Sequence, residues 1–361
     1  MTVAETSRLE ARLKQLIGAN GPMSIAAWMA HCLADEAAGY YRSGAPIGAG
    51  GDFITAPEVS QMFGEIIGAW LIERWRAEGA AEAVNLVELG PGRGTLMADI
   101  LRVARLDPHF AAAISVHLVE SSQTLRKAQR AALADFAGPK DWHENIDTVP
   151  GGPTFLVANE FFDALPMRQF VFCDGDWAER VIGINAKGEF AFGLGPGRPE
   201  RAPQGAAHGD VFEERPAAAA IAGEIAARIA EAGGAALFVD YGHAEPGFGD
   251  TLQAVRRHQF ADPLQAPGEM DLTAHVDFAA LAEAAEAAGA AAHGPMFQGE
   301  FLLRLGLAER AGQLGAGRNQ ADQESLRADV VRLAAPEEMG TLFKVLALTR
   351  PGAAPPPFDD V

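Results

Sequence analysis

From Asn85 onward, short apolar runs alternate with stretches of helical period. NLVELG, ISVHLVE, TFLVANE and AALFVDYG are strand-like, and helical segments lie between them. That alternation predicts an α/β fold with a parallel sheet covered by helices on both faces. Residues 1–80 read instead as helical, opening with ETSRLEARLKQLIGAN and closing with SQMFGEIIGAWLIERWRAEG, with the glycine-rich SGAPIGAGGDFITAPE between them. This predicts an N-terminal helical cap with a loop able to cover a cofactor, followed by a core over 81–361. Within the core, DG and KG turns divide about 168–195 into strands, an expected antiparallel extension of the sheet. Residues 216–232 form an expected helix on alanine propensity, with Pro216 in its first turn and Gly233 past its end. About 243–272 reads as irregular and about 300–338 as mostly helical, two insertions expected on the substrate side. HVDFAALAEAAEAAG predicts a helix, MFQGEFLLRLG and TLFKVLALT strands, and the Pro-rich end a loose tail.

A chain of 361 residues, 48% of them hydrophobic, is long enough to bury a large core. Its apolar stretches are broken by charge or glycine before membrane-spanning length, and its first residues lack a basic start followed by an apolar core, so no membrane insertion and a cytoplasmic location are expected. Cys32 and Cys173 have no near neighbours of metal or redox type and read as packing residues. A net charge of -19 speaks against a nucleic-acid surface, whose phosphates need clustered cations; the densest basic group is Arg256, Arg257 and His258.

LVELGPGRGTLMADIL joins a strand to a helix through Gly90, Pro91, Gly92 and Gly94. Glycines let the backbone approach a ligand, and a helix start offers free N–H groups. The dinucleotide spacing G-x-G-x-x-G would require a small residue at 95, which is Thr95, and no P-loop lysine is present. Glu88 lies in an apolar strand, where an unpaired carboxylate is costly, so it needs a partner: a ligand ammonium, or Arg93. Glu120, followed by Ser121, ends the next strand and can accept the two ribose hydroxyls of an adenosine ligand.

Asn159, Glu160 and Asp163 follow the third strand at the edge where open sheets bind ligands; the ordinary alternative is that the two acids cap a following helix. Thr55 and Glu58 have capping-box spacing, with Pro57 in the first turn, yet Phe53 and Thr55 also stand where a loop could close over a cofactor. His275, near a helix start, is a candidate base or substrate contact, with capping or packing an equal alternative, and Asp240, Tyr241 and His243 mark another strand end.

Taken together, GDFITAPEVSQMFGE, VELGPGRGTLMADILR, ANEFFDALPMRQF, FVDYGH, GDTLQAVRRHQFADPLQAPGEMDLTAHVDF and GTLFKVLALT resemble the signature segments of the MidA family over roughly residues 15–349. The resemblance implies a class I, Rossmann-like methyltransferase that uses S-adenosyl-L-methionine and no metal. It further implies symmetric dimethylation of arginine on a protein acceptor, a core subunit of respiratory complex I. On this reading Glu88, Gly90, Gly92 and Gly94 form the cofactor loop, Glu120 is the ribose acid, and Asn159 with Glu160 stands beside the transferred methyl. Glu160 and Asp163 are then candidates to grip the acceptor guanidinium. Two other readings share the same sheet: a nicotinamide-dependent oxidoreductase, which Thr95 opposes, and an assembly factor for complex I that binds the cofactor without catalysis.

Overall fold

The computed structural model describes residues 3–42, 54–256 and 259–360. They divide into two compact units. One comprises the described residues of Met1–Phe53, Asp163–Ala218 and Glu245–Asp277; the other comprises Ile54–Phe162, Ala219–Ala244 and Phe278–Val361. The division therefore does not fall at residue 80. The helix Gln61–Ala77 belongs with the core, because it lies against the helix Thr95–Ala104. Two glycines allow that approach: a Cβ on Gly64 would meet Asp99 Cβ at 2.5 Å, and one on Gly68 would meet the Ile100 backbone at 3.1 Å.

The second unit is built on strands β1 (Val84–Leu89), β2 (Ile114–Val119), β3 (Lys140–His143), β4 (Thr154–Asn159), β5 (Gly234–His243), β6 (Ala291–Phe297) and β7 (Phe343–Thr349). Their order in the sheet is 6-7-5-4-1-2-3, parallel except for β7, which runs antiparallel to both neighbours. Every residue of β1, β4 and β7 is buried, which explains why these runs are almost continuously apolar and not alternating. Register aligns Leu89 with Val119 and with Ala158, so the chain leaves β1, β2 and β4 along one sheet edge.

In this unit MFQGEFLLRLG departs from the expected strand. β6 ends at Phe297 and a helix runs over Gln298–Arg304, because Phe301 and Leu302 are buried while Leu303 is exposed, a helical and not an alternating pattern. The helices Leu307–Gly315 and Gln320–Ala334 follow. Arg310 of the first ties that segment to the core by a fork on buried Glu65 at 2.8 and 3.1 Å, and Arg102 reaches the same carboxylate at 3.4 Å.

The other unit holds a five-stranded antiparallel sheet of Met23–Ser24, Arg168–Cys173, Asp176–Ile184, Phe190–Gly195 and Val211–Glu214. Residues 168–195 thus form a sheet of their own and do not extend the main one. The stretch expected to be irregular carries a second small sheet, Gln253–Arg256, Gln259–Ala261 and Asp271–Thr273. Leu9, Leu13, Trp28, Met29 and Cys32 close its core with Met167, Ile182 and Leu272. Burial there pushes the Cys32 thiol up to about 12, as befits a packing residue.

Removing the guanidinium in Arg310→Ala leaves Glu65 buried with only the weaker Arg102 and Gln61 contacts. The variant is expected to lose about 2 kcal/mol of unfolding free energy in urea titrations.

Candidate active site

The turn after β1 is set by backbone conformation. Gly90, Gly92 and Gly94 take φ of +59°, +50° and +85°, the left-handed region that a β-carbon disfavours. Gly94 N–H bonds Pro91 carbonyl at 2.7 Å, and Gly94 is the N-cap of the helix Thr95–Ala104. A Cβ on Gly94 would stand 3.2 Å from Gln129 Cα, and one on Gly90 would stand 2.9 Å from the Phe161 ring. The loop is therefore held close to two neighbouring segments and starts the helix Thr95–Ala104.

Glu88, one residue before the end of β1, is 3% exposed. Its Oε2 is buried without a hydrogen-bond partner, and burial pushes the carboxyl up to about 8, against a hydrogen bond from the Met97 backbone. Arg93 is not its partner: the guanidinium lies 4.0 Å from Glu58. Glu58 also accepts the Thr95 hydroxyl at 2.6 Å, so it fastens the short helix Ala56–Val59 to the glycine turn and makes no capping box. Thr55 is the N-cap of that short helix by position, but its side chain makes no cap bond, and Pro57 occupies the first turn as its fixed φ favours. Phe53 lies outside the described residues, as do Arg257 and His258; Arg256 is paired with Glu269 at 2.8 Å.

Glu120 follows β2 and is also buried. Its Oε1 accepts the Ser122 amide at 2.7 Å and its Oε2 the Gln129 amide at 3.3 Å; burial still raises its pKa, with Ser122 and Gln129 opposing. Ser121 beside it is exposed. Arg126 binds the Glu120 carbonyl at 2.7 Å and the His143 carbonyl at 2.9 Å, fixing the turn. Gln129 and Arg126 are contributions that strand-end reasoning misses, because they come from the middle of a helix; the strong amphipathicity of QTLRKAQRAA was the available signal.

After β4 no helix follows, so Glu160 and Asp163 cap none. Glu160 itself sits in the left-handed region at φ +49°, a strained conformation for a residue with a side chain. The turn is held open by Asp240, fully buried, whose Oδ2 accepts the Phe161 and Phe162 amides at 3.1 and 2.9 Å and whose Oδ1 accepts the Tyr241 amide at 2.9 Å. Glu160 Oε1 takes the Ala56 amide at 3.0 Å and the Asn159 amide at 3.1 Å, whereas Asn159 Oδ1 is buried without a partner.

Asp163 and His275 belong to the other unit. Buried Asp163 lies near Tyr41, whose hydroxyl donates to Asp271 at 2.9 Å and whose pKa burial and both carboxylates hold well above the ordinary value. The His275 backbone is gripped from both sides. Its N–H donates to the Thr251 hydroxyl at 2.9 Å, and its carbonyl accepts Arg215, which also spans the Asp163 and Leu165 carbonyls.

In the core unit, two orphaned polar atoms, Glu88 Oε2 and Asn159 Oδ1, suit the ammonium of an amino-acid ligand, and a rigid acid after β2 suits ribose hydroxyls. Sheet order, reversed last strand, glycine turn and second acid together define a class I methyltransferase. The sequence profile of a family of S-adenosyl-L-methionine-dependent methyltransferases matches residues 66–296. The chain belongs to the MidA family of these enzymes. Human protein arginine methyltransferase NDUFAF7, mitochondrial, is 38% identical over 362 residues, covering 92% of this chain and 81% of its own. The Drosophila melanogaster homolog is 37% identical over 376 residues, covering 94% and 84%. A Burkholderia thailandensis methyltransferase structure bound to S-adenosyl-homocysteine superposes with a TM-score of 0.81 at 28% identity, covering 96% of this chain and 93% of that one. The expected cytoplasmic location is corrected by these comparisons, since the curated relatives carry mitochondrial names. Among the described residues no helix is long and apolar enough to cross a membrane.

Glu88 generates a pH prediction. With its folded pKa near 8 against an ordinary 4.5, the native state keeps a proton that the unfolded chain gives up between those values, so stability falls as pH rises through that window. Glu88→Gln removes the titration. Thermal melts of ligand-free protein should show the variant gaining on the wild type steadily from pH 5 to pH 8.5; parallel curves would refute the assignment.

Proposed function

We propose that this methyltransferase transfers methyl groups to arginine side chains of a protein, symmetrically, with a core subunit of respiratory complex I as acceptor. The observation that supports its cofactor half is the pair of buried, unpartnered acceptor atoms, Glu88 Oε2 and Asn159 Oδ1. The names of the relatives support the acceptor class: those with 36–38% identity are protein arginine methyltransferases.

The cofactor supplies an electrophilic methyl on a sulfonium. Glu88 and Asn159 would take its amino-acid end, Gly90, Pro91, Gly92 and Gly94 would lie beneath it, and Glu120 with Ser121 would hold the ribose. Thr55, at the start of the short helix Ala56–Val59, would help to shield the sulfonium from water. A guanidinium is planar, delocalised and protonated, so it is a poor nucleophile until one nitrogen is oriented and relieved of its proton. Carboxylates match its fork, and the candidates for that role are Glu160 in the core unit and Asp163 in the other, each taken by itself. Glu160 suits it because Oε1 is fixed by the Ala56 amide and the Asn159 side chain, which leaves its carboxylate plane defined. His275, with its backbone clamped, is assigned the proton-accepting role.

The test is incubation with methyl-labelled S-adenosylmethionine and the complex I subunit homologue, followed by mass spectrometry of arginine-containing peptides. Label confined to residues other than arginine would overturn the acceptor assignment. Gly92→Val places a branched side chain at φ +50° and under the cofactor; calorimetry should show S-adenosylmethionine binding abolished in a folded variant. Glu160→Gln keeps an oxygen for the Ala56 amide but loses the charge. Its cofactor affinity should stay within about twofold while kcat falls about a hundredfold, a pattern read from single-turnover and steady-state rates.

A further inference from the structure

Gln129 is fully buried in the helix Gln123–Ala132, yet none of its carboxamide's hydrogen bonds is made to that helix. Its Nε2 donates to the Gly92 carbonyl at 2.8 Å and to Glu120 Oε2 at 3.3 Å, and its Oε1 accepts the Trp142 indole N–H at 2.9 Å. Because an indole N–H can only donate, Trp142 on β3 decides which way the amide faces: oxygen toward the indole, both N–H groups toward the turn and the acid. One side chain thus ties together the glycine turn after β1, the acid after β2 and the neighbouring strand β3.

We propose that Gln129, oriented by Trp142, is the positioning residue that fixes the carboxylate of Glu120 for recognition of the cofactor's ribose hydroxyls and locks its distance from the glycine turn. This rests on the assignment of Glu120 to the ribose made above. The physical case has three parts. With the Ser122 amide on Oε1 and Gln129 on Oε2, each oxygen of Glu120 carries a protein donor, so the plane of the carboxylate is set before ligand arrives. Both donors favour the ionised form that burial opposes, and an ionised acid is the one that can accept hydroxyls without giving up a proton. The same amide restrains Gly92, at the crest of the turn, and Gly94 leaves the space for this contact, since a Cβ there would press on Gln129 at 3.2 Å. A glutamine serving only to fill the core would make no bond to either ligand-facing group, and an apolar residue of the same length would fill that volume as well.

The experiment compares binding of S-adenosylhomocysteine with that of its 2′-deoxyribose analogue, by calorimetry, in the full-length wild type, Gln129→Met and Trp142→Phe. The wild type should bind the 2′-deoxy compound about tenfold more weakly, the worth of one hydrogen bond to a charged group. Gln129→Met keeps the volume and removes the donors; it should bind S-adenosylhomocysteine about tenfold more weakly and discriminate against the 2′-deoxy compound by less than about threefold. Trp142→Phe, at a half-buried position, leaves Gln129 free to turn over and should lose part of the discrimination, keeping the proposal testable if the buried variant does not fold. In both variants the KM for cofactor should rise with little change in kcat. Full tenfold discrimination retained in Gln129→Met, or in Trp142→Phe when the other does not fold, overturns the role of Gln129 while leaving the ribose assignment standing. Absence of discrimination in the wild type removes the ribose assignment itself and the proposal with it.

Discussion

A carboxylate that the protein cannot satisfy from within governs the site. Glu88 is buried in an apolar strand, the donor it meets among the described residues is the Met97 backbone amide, and burial pushes it up to about 8. Such a group is held in the fold by keeping its proton, and its free oxygen stays open to a donor from outside the chain. The glycine turn next to it is the corollary: an approach close enough to reach the buried oxygen requires a backbone without side chains, bent through left-handed conformations at three positions. Asn159, with its own orphaned oxygen on the neighbouring strand β4, extends the same vacancy in hydrogen bonding along the sheet edge.

Rigidity around that edge comes from side chains that touch backbone. Asp240 holds three amides and keeps Glu160 in a conformation that the residue would not adopt alone; Arg126 and Gln129 secure the turn at Glu120. Glu58 fastens the segment before the helix Gln61–Ala77 to Thr95. Each uses a buried or half-buried polar group to hold a loop in a strained or open form, so that little reorganisation remains when a ligand binds.

How far these features could be read in the sequence follows from their physics. Apolar continuity in NLVELG and TFLVANE marked buried parallel strands, and the turn glycines marked the left-handed bend between β1 and its helix, because both are local patterns. Long-range choices were not legible. RQFVFC pairs locally with DWAERVIGI, but whether that hairpin joins the main sheet or VFEE depends on register partners some forty residues away, and the separate sheet was missed. EFLLR was taken for a strand because three consecutive apolar letters hide which of them face inward. Glu58 had the spacing of a capping box, but a tertiary partner at Thr95 outcompeted the local one. For Gln129 helical amphipathicity marks only an inward face, since its bonds to Gly92, Glu120 and Trp142 come from what the fold brings to it.

The path of the chain explains where the second unit comes from. The core is left at Asp163, just after β4, and re-entered at Ala219; it is left again at Glu245, just after β5, and re-entered at Phe278. Both departures occur at the carboxyl ends of neighbouring parallel strands, where loops of an open α/β sheet meet ligands and where insertions leave the buried register undisturbed. The part of that unit outside Met1–Phe53 is therefore encoded inside two loops of the parallel sheet, and side chains of the N-terminal segment complete its apolar core. Its first residue, Asp163, follows Phe162, whose amide Asp240 grips, and Asp240 itself lies on the strand preceding the second departure. One buried aspartate on β5 thus sets the geometry from which the chain leaves the core at Phe162.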